Sequence, residues 1–149
     1  MDLNELYNKL IAEGCNRFFI EGVGGPQKDD VELLAYHNGK WEVAYTERGK
    51  RSNPMFSTTD QQEAIRYYYD HVIRQQHMHL VTFTRSAAIS DLYKAELEGL
   101  NLKVIQNDIP HYKELGDRIF RLFVINKDIF TAKKKMINIP YYDEDLKRY

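Results

Sequence analysis

An Asn-Gly dipeptide at positions 38–39 constrains the fold of this chain more than any other feature. Two runs of alternating residues, VELLAYH and KWEVAYTER, flank it directly. Asn-Gly accepts the positive φ angles of a type I′ turn, the common two-residue link of a β-hairpin. The sequence therefore predicts an antiparallel hairpin whose register is fixed by its turn, with His37 opposite Lys40 and Glu32 opposite Tyr45.

The hairpin register assigns each side chain to a face, because successive strand residues point to opposite sides of a sheet. One face gathers the apolar and aromatic residues Leu34, Tyr36, Trp41, Val43 and Tyr45. The other face carries Glu42, Ala44, Thr46 and Arg48, with Leu33 and Ala35 beside them. We expect the first face to be packed and the second to be half exposed to water.

The rest of the chain reads as helices and short strands around this hairpin. Helical spacing of apolar residues covers 2–13, a segment from STTDQQE to about Gln76, a segment capped by Ser86 and stopped by Gly99, and a last one capped by Asp128. Strand-like runs are RFFIEGV, PMF, HLVTFT, LKVIQ and RIFRLFVI, and GKRSN reads as a second turn. The order α-β-β-β-β-α-β-α-β-β-α predicts an α+β fold, with a mostly antiparallel sheet of hairpins flanked by helices.

Length and composition limit the class of protein. The chain has 149 residues and suits a single domain, 1–149, made of two α/β halves, approximately 1–78 and 79–149. No apolar run approaches the roughly 20 residues that cross a bilayer, and the start lacks a secretory signal. Cys15 is the only cysteine, which excludes an internal disulfide. We expect a cytoplasmic protein with no membrane contact, and the net charge of −1 argues against nucleic acid as a partner.

Three motifs that suggest chemistry have plainer structural explanations. GVGGP follows a strand, but no Gly-Lys-Ser/Thr follows it, so it reads as a flexible turn and not as a phosphate loop. His77 and His79 lack the further ligands of a zinc site and read as polar residues at a junction. Cys15 sits among apolar residues and reads as a buried thiol. We therefore predict no catalytic residue, no metal and no cofactor.

The charged end of the hairpin looks most like a functional site. Glu47, Arg48, Lys50 and Arg51 follow one another closely. Glu47 and Arg48 alternate along the predicted strand and so point to opposite sides, which argues against a shared catalytic role. Two explanations stay open: a solvated hairpin end that blunts edge pairing, or a rim that binds a partner through Glu47, Arg48 and Arg51.

Two long segments of the chain resemble bacterial immunity proteins of polymorphic toxin systems. The first is NGKWEVAYTERGKRSNPMFSTTDQQEAIRYYYDHVI, with its Gly-Lys-Trp-Glu-Val strand, its Tyr-x-Glu-Arg-Gly turn and a Phe before a capped helix. The second is LEGLNLKVIQND followed by RIFRLFVINKDIFTAKK. The chain departs from the family pattern by the extra SNPM before the Phe, which affects the local turn.

The resemblance implies a small antitoxin that binds a cognate toxin protein and blocks its active site. Toxins of these systems include nucleases and NAD-consuming enzymes. Tyr142, Asp143, Glu144 and Asp145 near the end of the chain are the second candidate binding set, because exposed acids there would mimic substrate phosphates towards a basic toxin cleft. The alternative is that this tail is ordered against the body or frayed.

Two other classes of function remain open from the sequence. One is a small enzyme acting on a nucleotide or a nucleic acid, with Glu47, Arg85 and Arg121 as its polar residues. A carboxylate of raised pKa near arginines in a pocket would support that enzyme. The other is a regulator from a phage or mobile element that binds DNA, against which the near-neutral charge speaks.

Overall fold

A computed structural model describes residues 1–24 and 28–147 of the chain. Residues 25–27, which belong partly to the GVGGP stretch, and residues 148–149 lie outside the described residues. The chain forms two compact units, Met1–His77 and Met78–Tyr149. Whether these units act as the single domain expected from the sequence stays a prediction.

The first unit is a sheet packed against two helices. Its elements are α1 (Leu3–Ala12), β1 (Phe19–Ile20), β2 (Val31–His37), β3 (Lys40–Glu47), β4 (Lys50–Arg51), β5 (Phe56–Thr58) and α2 (Gln61–Ile73). The strand order is β1-β2-β3-β4, with β5 also pairing β3, and β1 alone runs parallel to its neighbour. The core joins both helices to the sheet through Leu6, Leu10, Leu34, Val43 and Tyr68.

The predicted hairpin of β2 and β3 is confirmed together with its register. His37 lies opposite Lys40, and Glu32 lies opposite Tyr45. Asn38 and Gly39 have φ angles of 53° and 77°, as a type I′ turn requires. Local turn chemistry therefore sets the pairing of the longest strands in this unit.

The second face is less exposed to water than expected: of its predicted residues, only Glu42, which is half-buried, and Arg48, which is exposed, reach solvent. Leu33, Ala35, Ala44 and Thr46 are all buried, whereas Tyr36 on the predicted core face is 56% exposed. The second face carries apolar and small side chains, so its burial gains hydrophobic free energy. Tyr36 instead extends past the core near the tip of the hairpin, where its ring contacts Trp41 at a centroid distance of 4.9 Å.

The second unit is a four-stranded sheet with two helices. Its elements are β6 (Met78–Thr84), α3 (Ala87–Gly99), β7 (Ile105–Gln106), β8 (Phe120–Ile125), α4 (Asp128–Lys135), β9 (Tyr141–Tyr142) and a 3₁₀ helix (Glu144–Leu146). The strand order is β7-β8-β6-β9, and only β9 pairs in parallel. One core cluster joins Val81 and Val124 to both helices, and a second contains Phe83, Ile119 and Leu146.

The predicted fold class is confirmed: the protein is α+β with mostly antiparallel pairing, and the order of elements roughly matches. Some boundaries differ. Helix α3 runs through Gly99, and Asn101 takes the left-handed conformation with φ 63°. Asp128 lies inside the first turn of α4, whose N-cap is Lys127. Among residues 1–24 and 28–147, no helix is both long and apolar enough to span a membrane.

Candidate partner-binding site

The charged hairpin end is shaped by a second tight turn. β3 ends at Glu47, and Arg48 and Gly49 form the turn with φ angles of 52° and 75°. Lys50 and Arg51 then pair back onto β3 opposite Glu47 and Thr46. The prediction that the strand runs through Arg48 and that GKRSN forms the turn is therefore wrong by one or two residues. The turn lies at Arg48-Gly49, because these residues provide the two positive φ angles of a type I′ link.

Asp29 holds this turn in place from outside the hairpin. Its carboxylate accepts hydrogen bonds from the backbone N–H groups of Arg48, at 2.8 Å, and of Gly49, at 3.4 Å. The bond from Arg48 is the main reason that the pKa of Asp29 lies below its usual range. Both amides of the turn are thus satisfied by one side chain, which fixes the tip relative to the segment before β2.

The hairpin end forms a concave surface, here named the hairpin recess. It has a volume of about 480 Å³ and is lined by Tyr45, Glu47, Arg48, Lys50, Arg51 and Ser52. The predicted set Glu47, Arg48 and Arg51 is therefore brought together on one surface. Arg51 forms an ion pair with Glu21, so its guanidinium is held in position although both side chains are partly exposed.

A cluster that the sequence analysis missed lies on the α2 side of the same sheet. Glu32 Oε2 accepts one hydrogen bond from Gln75 Nε2, at 2.6 Å. The same oxygen lies 2.6 Å from His71 Nε2. The His71 ring stacks on Tyr67 at a centroid distance of 5.7 Å. Glu32 is the cross-strand partner of Tyr45, which lines the hairpin recess. A glutamate at a core-facing strand position was the sequence signal for this cluster.

Only part of the predicted acidic set near the end of the chain is exposed for contact with a partner. Asp143 is half-buried, and its carboxylate accepts hydrogen bonds from the Thr84 hydroxyl at 2.6 Å and from Arg85 N–H at 2.8 Å. The expectation that Asp143 is an exposed acid is therefore wrong, because it ties the chain end to the end of β6. Asp145 pairs with Arg85 but stays 64% exposed.

Glu144 and Tyr142 border a second concave surface, here named the C-terminal groove. This groove has a volume of about 760 Å³ and is lined by Asn138, Ile139, Pro140, Tyr141, Tyr142, Glu144 and Lys147. Glu144 is 84% exposed and pairs with Lys147 at 2.7 Å. Within the described residues, the tail is ordered: Leu146 is buried and β9 pairs with β6.

Two residues of the proposed enzyme are engaged in structural contacts. Arg85 donates two hydrogen bonds to Asp117, at 2.7 and 3.1 Å, and Arg121 Nε donates to Asn107 O at 2.8 Å. The bond from Arg85 holds the pKa of Asp117 below its usual range. The carboxylate of Asp108 also has a lowered pKa, because its hydrogen bonds outweigh its partial burial. These acids are kept ionised, unlike the raised-pKa acid that would support an enzyme there.

His77 and Cys15 take structural positions. His77 is 1% exposed; its Nδ1 accepts hydrogen bonds from the N–H groups of Asn16 and Arg17, and its Nε2 therefore donates to Val72 O at 2.8 Å. Burial, with a smaller effect of Glu13, raises the pKa of the Cys15 thiol to about 11, so it stays protonated near neutral pH. Among the described residues, no group of three or more His, Cys, Asp or Glu side chains is placed to hold a metal ion.

Comparison with family models, curated proteins and solved structures gives no match for this chain.

Proposed function

We propose that this protein is a cytoplasmic immunity protein that binds a cognate toxin domain and blocks its active site. The observation that supports the proposal is the hairpin recess. Arg48, Arg51 and Tyr45 lie together there on an exposed surface, beside a turn whose two amides are fixed by Asp29. Arginine and tyrosine are among the residues that contribute most binding energy in protein interfaces.

The recess is suited to binding because it is organised before a partner arrives. Association costs free energy for each flexible side chain that becomes ordered, about 0.5–1.5 kcal/mol per long side chain. Arg51 is already paired with Glu21, and the backbone of Arg48 is already held by Asp29. A partner that meets this surface therefore loses less free energy to ordering than it would against a mobile hairpin.

The class of toxin follows from the resemblance described above and is part of the proposal. A nuclease or an NAD-consuming enzyme is the expected partner. Such a toxin is neutralised when the bound immunity protein blocks access to its active site, without any chemistry by the immunity protein itself.

A pull-down tests the proposal directly. The tagged protein is expected to retain one stoichiometric partner with a toxin-like domain through a high-salt wash, and the purified partner is expected to lose its activity when the protein is added. Arg48→Ala combined with Arg51→Ala should weaken the complex by at least tenfold, since interface arginines commonly contribute about 1–3 kcal/mol each. Arg66→Ala, an exposed arginine on α2, is the matched control. Retention of no partner, or equal affinity of the double variant and the control, would contradict the proposal.

The Glu32–His71 pair favours a second candidate, a small enzyme acting on a nucleotide or nucleic acid. An imidazole held by a carboxylate at 2.6 Å has the arrangement of a general base and its orienting group, and the His71 side chain is 34% exposed. The test is hydrolysis of nucleotides and of nucleic acid by the purified protein. Activity that disappears in His71→Ala but persists in His37→Ala would favour the enzyme over the immunity protein.

A further inference from the structure

Helix α4 ends in a cluster of lysines that no acid neutralises. Lys133, Lys134 and Lys135 lie in its last turn, and all three are exposed. Within the part of the chain that the structure describes, their ammonium groups take part in no ion pair and no hydrogen bond. The segment 126–140 contains one acid, Asp128, which lies in the first turn at the other end of the helix. The carbonyl end of a helix offsets only about half a positive charge, so this end of α4 stays positive.

A partly exposed aromatic ring lies beside two of these lysines. Phe130 is 46% exposed, and Lys133 and Lys134 follow it by three and four residues, which makes the three side chains neighbours on the helix surface. Lys135 lies about 140° away from Phe130 around the helix axis, since each residue turns the helix by about 100°. We name the surface of Phe130, Lys133 and Lys134 the α4 patch. Just past the helix, Ile137 adds a side chain that is 85% exposed.

Phe130 lies outside the core that α4 helps to form. The core side of the helix is provided by Ile129, Ala132 and Met136, which are all buried. A partner that covers the exposed ring gains free energy by removing apolar surface from water, and aromatic residues are enriched in protein interfaces. The α4 patch therefore has an aromatic anchor and a charged rim, as protein-binding surfaces do.

The charges of the patch select its occupant. Both side chains beside the ring are cations, so a segment with carboxylates on either side of an apolar residue is complementary, and a basic segment is repelled. An anionic membrane is recognised by longer basic clusters, of about four to eight residues. The net charge of −1 disfavours a nucleic acid.

We propose that the α4 patch binds an acidic segment of a protein partner. An apolar side chain of that segment packs on the ring of Phe130, and carboxylates before and after it pair with Lys133 and Lys134. The patch belongs to the second unit, whereas the hairpin recess belongs to the first. The inference does not rest on the proposed function, because it holds whether or not the partner is a toxin.

The first experiment uses a defined peptide, so that no natural partner is needed. Acetylated and amidated Glu-Glu-Leu-Glu-Glu-Leu-Glu-Glu is titrated into the ¹⁵N-labelled full chain and followed by NMR. The salt concentration is about 0.1 M, where charges more than about 10 Å apart are largely screened. We expect amide shift changes concentrated at residues 130–134. Changes centred elsewhere on the chain, or none at millimolar peptide, would overturn the inference.

A second peptide separates the apolar contact from simple charge attraction. Serine replaces both leucines in it, so that its charge and length are unchanged. We expect it to bind at least about threefold more weakly, because it offers no apolar side chain to the ring of Phe130. Equal affinity of the two peptides would refute the proposed packing on this ring.

Adjacent lysines of one helix supply the matched variants. Lys134→Gln removes a charge from the patch and should weaken binding of the leucine peptide about two- to fivefold, as expected for an exposed ion pair. Lys135→Gln removes the same charge from another side of α4 and should change the affinity by less than about 1.5-fold, because of screening. Equal losses in the two variants would contradict a specific role for the patch.

Other anionic surfaces are tested in the same NMR assay. Vesicles of phosphatidylcholine with phosphatidylserine, and a single-stranded oligonucleotide, are each added to the labelled chain. We expect neither to change the amide signals of residues 130–134 as strongly as the leucine peptide does. A stronger response to either one would overturn the inference and assign the patch to a membrane or to a nucleic acid.

Discussion

Replacing Tyr68 by phenylalanine removes a hydroxyl group that completes the sheet of the first unit. Tyr68 is fully buried on α2, and its hydroxyl accepts a hydrogen bond from Phe19 N–H at 3.1 Å. It also donates to Glu32 O at 2.6 Å. The parallel pairing of β1 and β2 begins at Phe19 and Leu33. The Tyr68 hydroxyl therefore bridges two backbone groups just beyond the end of this ladder.

The structure gives an approximate size for the loss. Without the hydroxyl, one backbone N–H and one backbone C=O lose their partner in a part-buried site. An unsatisfied buried group costs about 1–3 kcal/mol, and the ring itself is retained. We expect Tyr68→Phe to lower the free energy of unfolding by about 2–3 kcal/mol. For a chain of this size, that is a fall of about 4–12 °C in Tm.

Urea denaturation at neutral pH measures the loss, with Tyr69→Phe as the control. Tyr69 neighbours Tyr68 on α2, is only half-buried, and contacts Lys9 through the face of its ring, 4.4 Å from Nζ, and not through its hydroxyl. The control should stay within about 0.5 kcal/mol of the parent protein. A similar small change in Tyr68→Phe would refute the reasoning that the hydroxyl bridges the two strands.

The same residue predicts a loss of stability in alkali. Burial raises the pKa of Tyr68 above the ordinary value of 10.0, so the folded state keeps its proton while the unfolded state ionises. Stability from this group is complete below pH 10 and falls as pH rises beyond it. Tyr68→Phe should show a shallower decline above pH 10 than the parent, and parallel curves would count against the buried hydroxyl.

Three further predictions concern other buried or paired groups. Thr82→Val should raise the free energy of unfolding by about 1 kcal/mol in urea, because the Thr82 hydroxyl is buried without a hydrogen-bond partner among the described residues; a lower stability would mean that the hydroxyl is needed. His77→Ala should cost about 2–4 kcal/mol, since it removes the acceptor of two backbone N–H groups and the donor to Val72 O, and a loss under 1 kcal/mol would contradict this. Asp117→Asn should destabilise the protein at pH 7 but not in acid: the lowered pKa of Asp117 means that its contribution is present above the ordinary value of 3.8 and disappears as pH falls through the folded-state pKa. The free energies of unfolding of the parent and the variant, measured in urea, should therefore converge as pH falls from 7 to 2. A difference that stays constant with pH would exclude the Arg85 pair as the cause.

Residues close in sequence account for the part of the candidate site that could be predicted. Glu47, Arg48 and Arg51 surround one tight turn, so local pairing alone places them together. The sequence does not give the distance from Asp29 to that turn, or from Glu21 to Arg51, because these partners are separated by long stretches of chain. For the same reason Asp143 was expected to be exposed, although Thr84 and Arg85 bind it.

Neighbouring residues alone specify the hairpin of β2 and β3, its register and the helical character of α1 and α2. These features depend on backbone preferences of adjacent residues and on helical or strand periodicity, which act within a few residues. Contacts between distant segments are what bring Glu32 to His71, place the Tyr68 hydroxyl between β1 and β2, and leave β9 at the edge of its sheet within the described residues. Such features depend on which distant segments meet in the folded chain, and local preferences carry no information about that meeting.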